Sequence, residues 1–283
     1  MTTSALSRRA FLAVAAAAPA AAVFAQRRSL PIGIQLYSVR GELTKDLMGT
    51  VRAVAKMGYE VVEFYSPYFS WTEAYAQDVR KLMDDLSIRC LSTHNPAAAI
   101  GAELAKAVAL NQILGSRTIV VASPPKLTTA DAWKGFADQL TSATAKLQAA
   151  GLTAGYHNHQ DEWRLVDGQR PMDILARSTP AAFTLQVDVA WCMAAGGDPV
   201  AFIRANPGRT RSLHCKDWAP GPAAEEKGIR VLFGEGTAPW RQIFDAAESV
   251  GGVEYYLIEQ EGSRFSELET AQRCLASYKA MRG

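Results

Sequence analysis

From residue 32 onward the chain repeats one unit eight times: a short apolar run, then a longer amphipathic one. The apolar runs fall at 32–37, 60–65, 88–93, 118–122, 152–157, 182–188, 211–216 and 253–258. The amphipathic stretches cover 44–57, 72–86, 98–114, 130–150, 172–177, 199–205, 240–250 and 267–281. Short apolar runs of this kind read as strands, and apolar positions recurring every three to four residues read as helices. Gly58, Gly115 and Gly151 stand where helices should stop. Strands alternating with helices imply βαβ units and a parallel sheet. Eight units in a domain of roughly 250 residues predict an α/β fold, a closed (β/α)8 or TIM barrel, as a single domain. The competing arrangement is an open doubly wound sheet. That fold usually carries a phosphate loop, and neither G-x-G-x-x-G nor G-x-x-x-x-G-K-[ST] follows any strand here. The longest irregular stretch, 219–227, is a candidate lid.

The barrel does not use the whole chain. Ser7-Arg8-Arg9-Ala10-Phe11-Leu12 precedes an Ala-rich apolar run that ends at Phe24. A charged start, a short apolar stretch and a small residue at Ala25 predict a cleaved signal peptide over 1–25. The paired arginines resemble a twin-arginine export signal, which predicts a periplasmic or secreted protein. The apolar run has 15 residues, short of the ~20 that a membrane span needs, so no stable anchor is expected after cleavage. Removing 25 of the 283 residues leaves a domain of 258 (26–283), matching one barrel. The formal charge of +2 also belongs to this segment. Arg8 and Arg9 account for it, and the remaining 28 bases meet 28 acids. A neutral domain does not hold nucleic acid by bulk charge. The four cysteines, Cys90, Cys192, Cys215 and Cys274, form no C-x-x-C pair and read as buried reduced thiols.

The scarce polar residues then carry the information. All four histidines sit at the C-terminal ends of expected strands: His94 on the third, His157 and His159 on the fifth, His214 on the seventh. Glu63, Asp188 and Glu259 hold the matching places on strands two, six and eight. In a barrel these ends converge on one mouth, where active sites of the fold lie. Alternation along a strand puts His157 with His159, Gln186 with Asp188, and His214 with Lys216 on shared faces, with Asp217 turned away. Carboxylates mixed with imidazoles suit Mn, Co, Fe or Zn better than Ca. Asp188, His214 and Glu259, on consecutive strands, are the firmest ligand candidates. For the fourth position, on strand five, His157, His159 and Glu162 compete.

Together these residues resemble the sugar phosphate isomerase/epimerase superfamily with the xylose isomerase-like TIM barrel, over residues 32 to about 280. The resemblance rests on Ile32-Gly33-Ile34-Gln35-Leu36-Tyr37, Gly58-Tyr59-Glu60-Val61-Val62-Glu63 and Ser92-Thr93-His94. It continues in Tyr156-His157-Asn158-His159-x-x-Glu162-Trp163, Asp188-Val189-Ala190-Trp191, His214-x-Lys216-Asp217 and Gly234-Glu235-Gly236. It implies a divalent metal, of the Mn, Co, Mg, Fe or Zn kind, held by Glu, Asp, His and Glu on strands five to eight. Asp188, His214 and Glu259 match the last three. Strand five departs from the pattern, with His157 where the family carries Glu. Glu162 reaching back is favoured narrowly as the fourth ligand, with His157 as the alternative.

The implied chemistry is proton abstraction next to a carbonyl, with a cation stabilising the enediolate. Glu162 and Glu259 are candidate bases, His94 and His159 candidate shuttles, and Lys216 a candidate clamp for a substrate oxygen. Gln35, Glu63, His157, Trp163, Trp191 and Trp218 are expected to contact a small carbohydrate substrate. The expected activity is a metal-dependent sugar isomerase or epimerase. A lyase or dehydratase acting on keto-sugars or 3-keto-glycosides is the alternative, and a non-catalytic carbohydrate-binding barrel is the reading of another class. Neutral charge and export argue against the superfamily's DNA-repair branch. Assembly into a homo-oligomer is open.

Overall fold

The computed structural model describes residues 30–221 and 228–283. The expected signal segment 1–25, and residues 222–227 of the candidate lid, lie outside the described residues. The eight strands are β1 (Ile32–Gln35), β2 (Val61–Phe64), β3 (Arg89–Pro96), β4 (Thr118–Ser123), β5 (Thr153–His157), β6 (Thr184–Asp188), β7 (Ser212–Cys215) and β8 (Tyr255–Ile258). All neighbours pair in parallel and in chain order, and β8 returns to β1, so the sheet closes as the expected (β/α)8 barrel in a single domain.

Among the described residues ten helices surround it: α1 (Arg40–Lys45), α2 (Leu47–Met57), α3 (Glu73–Asp85), α4 (Leu104–Leu114), α5 (Ala130–Ala149), α6 (Pro171–Ser178), α7 (Val189–Ala194), α8 (Pro199–Ala205), α9 (Trp240–Ala246) and α10 (Glu267–Arg282). Most agree with the sequence pattern. Gly58 and Gly115 end α2 and α4 in the left-handed conformation that an L side chain resists. Three differences have local causes. The first amphipathic stretch divides in two because Asp46 adopts an extended backbone and caps α2, accepting from the Gly49 N–H at 2.9 Å. The stretch at 98–114 begins as a 3-10 turn, Ala97–Ile100, before α4. The short helix α7 was hidden because its residues are apolar all round. Its start is marked only by the Asp188 side chain, which accepts from Trp191 N.

Alternation along the strands separates two apolar regions. Outward residues such as Phe64, Tyr156, Val187, Cys215 and Ile258 join the main core between sheet and helices. Each fully buried aliphatic side chain there contributes roughly 1.5–3 kcal/mol. Inside the barrel, Val61, Tyr255 and Leu257 form a small separate plug with Leu91 against it. Above that plug the inward side chains are polar, and register sets them side by side. Gln35 pairs with Glu63, His157 with Gln186, and Asp188 with His214. The four cysteines are buried and unpaired, as expected. Among the described residues no helix is long and apolar enough to cross a membrane.

Candidate functional site

The polar interior begins at Glu63, a carboxylate with no solvent exposure. Gln35 Nε2 donates to its Oε2 at 2.8 Å, Gln186 Nε2 to its Oε1 at 2.9 Å, and Ser92 Oγ also to Oε1. His214 Nε2 and His94 Nε2 approach Oε2 at 2.8 and 3.0 Å. Burial alone would raise this carboxyl. The His94 and His214 imidazoles outweigh burial and hold Glu63 well below the usual carboxylate range. Gln186 extends the layer, donating to Ser212 Oγ at 2.9 Å and meeting His94 Nε2 at 2.7 Å through its own Oε1. Gln35 and Glu63 were expected to touch substrate. The structure corrects this: both are fully buried and bonded to each other, and they form a floor beneath the mouth.

The layer above the floor is built differently. His214 stands across both, its Nε2 on Glu63 and its Nδ1 at 2.6 Å from Glu259 Oε2. Asp188 is fixed through its backbone by Asn158, whose Oδ1 accepts from Asp188 N at 3.0 Å and whose Nδ2 donates to Asp188 O at 3.3 Å. Asp188 Oδ1 caps α7, but Oδ2 is buried with no hydrogen-bond partner among the described residues. His157 Nδ1 is also buried without a partner. His157, Asp188, His214 and Glu259 each bring one potential ligand atom to within 4.8 Å of the others.

Charges in this layer are held in unusual states. Burial and the neighbouring Glu259 push Asp188 up to about 7, against the pull of Lys216. Burial opposes the charged form of His214, but Glu63 and Glu259 lift it to about 10. His214 and Lys216 hold Glu259 down to about 2 despite burial. Burial, then the His214 and His94 imidazoles, pushes His157 well below the usual range, so it is neutral at pH 7. Unpaired buried polar atoms cost of order 1–3 kcal/mol each. Asp188 and His157 each carry one such atom, and the Asp, Glu and two-His set to which they belong fits a divalent transition metal. The Glu63 contact to His214 is the kind of outer carboxylate that orients a ligating imidazole.

Glu162 does not join this group. Its Oε1 accepts from Tyr156 OH at 2.7 Å and its Oε2 from the His159 backbone N–H at 2.7 Å. Tyr156 is an outward residue of β5, packed against Trp133 and Phe136. Glu162 is thereby drawn toward the helices, and it braces the turn after β5. The structure brings His157, not Glu162, to the strand-five position. Trp163 also departs from expectation, packing edge-on against Phe202 at 4.9 Å within the main core. Trp191 and Trp218 cluster with Ala190 and Ile229 at the edge of the mouth. The Trp191 ring lies 6.1 Å from His159, and Lys216 Nζ sits 4.3 Å from its centroid.

A cavity of about 260 Å³ opens above the ligand group, lined among others by Tyr37, Tyr65, His94, His157, His159 and Glu259. All four histidines meet here. His94 and His214 stack at 5.1 Å, His157 lies 4.4 Å from His214, and His159 lies 5.0 Å from His157. Burial keeps His159 below its usual range, although Glu162 and Glu259 favour its charge. Lys216 is fully buried. Burial opposes its charge, and Asp188, Glu259 and Glu261 keep it protonated. Its Nζ is bonded to Glu261, which itself lines the cavity. Asp217 points away, as alternation predicts. Its carboxylate gathers the N–H groups of Gly234, Gly236 and Ala238 and the Trp240 indole, where a Cβ on Gly236 would collide with it. The sequence reading assigned no role to Asn158, Tyr37, Tyr65 or Glu261. For Glu261 a signal existed, since it lies two residues past Glu259 and so on the same face.

Comparison with known proteins places this geometry. The family model described as xylose isomerase-like TIM barrel matches residues 51–280. The sequence matches no curated protein. Among solved structures, a sugar phosphate isomerase/epimerase from Parabacteroides distasonis has a TM-score of 0.77 at 23% identity, covering 89% of this chain and 94% of its own. The zinc-bound IOLI protein has a TM-score of 0.71 at 14% identity, covering 89% and 97%. D-psicose 3-epimerase, solved in the presence of D-fructose, has a TM-score of 0.66 at 14% identity, covering 89% and 99%. At these identities the structural likeness shows the fold alone.

Proposed function

Because the chain belongs to the xylose isomerase-like TIM barrel family, we propose that it is a divalent-metal-dependent sugar isomerase or epimerase that removes a proton next to a carbonyl. The observation that carries this reading is the pair of orphaned atoms, Asp188 Oδ2 and His157 Nδ1, buried beside His214 and Glu259. These four residues would hold the cation. When bound, it supplies Lewis-acid charge to the substrate oxygens and so lowers the cost of the enediolate.

The chain's own groups do the rest. His159 lines the cavity and is kept neutral at pH 7 by burial, so it can accept the proton. The Glu162 contact to its backbone N–H fixes where that imidazole starts. His94 lines the same cavity and is placed to return the proton. Return to the neighbouring carbon isomerises, and return to the opposite face of the same carbon epimerises. Lys216 acts through Glu261, which it orients, and by keeping Glu259 ionised. Trp191, expected to contact substrate, is instead buried behind His159 with Lys216 Nζ over its ring, and it supports the mouth rather than facing it. Export of the chain, read from residues 1–25, would put this site among free sugars and glycosides.

The test is metal rebinding and isotope exchange. The purified protein should take up Mn, Co or Zn and melt several degrees higher when loaded. The Asp188→Ala and His214→Ala variants should lose that gain. With a free keto-sugar in deuterated water, the proton next to the carbonyl should exchange. Uptake of no divalent metal would sink the proposal and leave a carbohydrate-binding barrel. Metal uptake with release of a leaving group and no isomeric product would replace it by a lyase.

A further inference from the structure

The mouth does not end at the catalytic cavity. Residues 64–75, Phe-Tyr-Ser-Pro-Tyr-Phe-Ser-Trp-Thr-Glu-Ala-Tyr, place six aromatic side chains in twelve positions just after β2. Part of this concentration is ordinary core. Phe64, Tyr68 and Phe69 are buried at 1%, 1% and 7% exposure. Tyr68 belongs to a closed polar cluster with Thr93, Asn95 and Asn111. The other three differ. Tyr65 and Trp71 are half-buried and Tyr75 is 37% exposed, so core packing accounts for only part of their surface.

These three line a second cavity of about 500 Å³ between the β2–α3 connection and the turn joining α1 to α2. Tyr65 lines both this cavity and the catalytic one. On the mouth side Tyr65 meets Tyr37 edge to face at 5.2 Å. On the far side Trp71 meets Phe64 at 5.1 Å and Tyr75 at 5.2 Å, each edge to face. The rings form two groups, Tyr37 with Tyr65 at the mouth and Phe64, Trp71 and Tyr75 in the groove, and Tyr65 is the side chain that the two cavities share. Thr44, Lys45 and Asp46 form its polar margin. Asp46 spends Oδ1 on capping α2, and Lys45 pairs with Glu42 at 2.8 Å. Rigid aromatic walls with a few polar groups at the edge are the composition of a small-molecule pocket. Aromatic faces suit a ring that is apolar on its face and hydroxylated at its edge.

We propose that this aromatic groove is a second-ring subsite, and that the substrate is a glycoside whose reacting sugar carries a ketone and lies over the histidines while its next ring rests against Tyr65, Trp71 and Tyr75. This deepens the proposed function and rests on it for the position of the reacting sugar. The next ring is either a second sugar or an aromatic aglycone, since both offer a flat apolar face. The cavity of about 260 Å³ holds one sugar ring, and the groove of about 500 Å³, which shares Tyr65 with it, gives the second ring a place beside the first.

The experiment measures equilibrium binding by calorimetry to the Mn-loaded full chain, with glucose, cellobiose and phenyl β-D-glucoside as probes. At least one two-ring probe should bind about tenfold more tightly than glucose, and which one it is decides between sugar and aglycone. Tyr75→Ala, at the exposed end of the groove, should reduce that preference to about threefold or less. Trp71→Ala should abolish it. Because Trp71 also packs against the core, Trp71→Phe serves as the control for folding, checked by melting temperature, and should keep an intermediate preference. Affinity for Mn, measured separately, should not change in any of these variants. Equal binding of all three probes to the wild type overturns the subsite. So does a preference that survives Tyr75→Ala and Trp71→Ala unchanged. Failure of the metalloenzyme reading shows itself independently, as absence of Mn binding in the wild type.

Discussion

Two layers of the same barrel interior, two residues apart along a strand as Gln186 and Asp188 are on β6, are both polar and both buried, yet they are finished differently. In the lower layer Glu63 receives Gln35, Ser92, Gln186, His94 and His214, and among the described residues of that layer no carboxylate oxygen is left over. In the upper layer Asp188 Oδ2 and His157 Nδ1 have no hydrogen-bond partner among the described residues. A saturated buried network fixes positions and gains nothing from a ligand. An unsaturated one keeps a cost that only a ligand can remove. On the proposed reading the lower layer positions and the upper layer binds. His214, bonded to Glu63 by one nitrogen and to Glu259 by the other, is the link between them.

The largest expected effect comes from removing an upper-layer group. Asp188→Ala should abolish stable metal binding and lower turnover by about a thousandfold or more, a loss of roughly 4 kcal/mol in transition-state stabilisation. Its cost to folding should be only about 1 kcal/mol, the value of the lost cap on α7. Metal content, steady-state rates and melting temperature check the three parts. A variant that loses its fold together with its metal would erase the distinction between layers.

The lower layer should respond in the opposite proportion. Glu63→Gln keeps the size of the side chain but removes the charge that orients His214. It should weaken metal affinity by about 10–100-fold without removing a ligand. Glu63→Leu leaves His94, His214 and Gln186 facing an apolar group and should cost on the order of 3–5 kcal/mol of stability. Chelator competition and chemical denaturation measure the two. If Glu63→Leu folds as well as the wild type, the floor is not what holds the site.

Proton release gives a third and smaller effect. Without metal, His214 at about 10 holds a proton at neutral pH, and Asp188 at about 7 holds one part of the time. Ligands must be deprotonated to bind, so affinity is complete above these values and falls as pH drops below them. Between pH 8 and 9 only His214 gives up a proton, and affinity should rise about tenfold. Below pH 7 Asp188 joins it and the dependence should steepen. A pH-independent affinity over 6–9 would mean that His214 is not displaced from its carboxylates.

The two layers were not equally legible in the sequence. The barrel was, because eight repeats of strand and helix leave few ways to close a sheet, and every strand appears within a few residues of its expected place. The convergence of His94, His157, His159 and His214 was legible for the same reason, since strand ends in a barrel share one mouth. Depth was not legible. Gln35 and Glu63 stand at strand ends like Asp188 and Glu259, and only the register of Gln35 with Glu63 puts them beneath the mouth. Nor could spacing reveal Trp163 in the core or α7 behind Asp188, because both depend on what packs beside them. The aromatic run at 64–75 was readable as composition, but its meeting with the catalytic cavity through Tyr65 is a property of the fold.

Glu162 sharpens the comparison most finely, because the expectation from sequence and the placement in the structure disagree about it. A carboxylate at the metal would be the natural replacement for the family's strand-five Glu. Its two oxygens are instead taken up by Tyr156 OH and His159 N, on the outward side of β5. Glu162→Gln keeps one acceptor oxygen for the His159 N–H and can turn its amide NH2 to donate to the Tyr156 hydroxyl oxygen, so metal affinity should change by less than about threefold, and stability by about 1 kcal/mol, the difference between a charged and a neutral partner. Turnover should fall by several-fold, because the His159 backbone is held less firmly. The matching change one layer inward, His157→Ala, should cost metal affinity at least about tenfold. Measured side by side with the same metal, the two variants decide which residue of the fifth strand completes the site. A tenfold loss from Glu162→Gln with none from His157→Ala would require the turn at 159–163 to swing inward when metal binds.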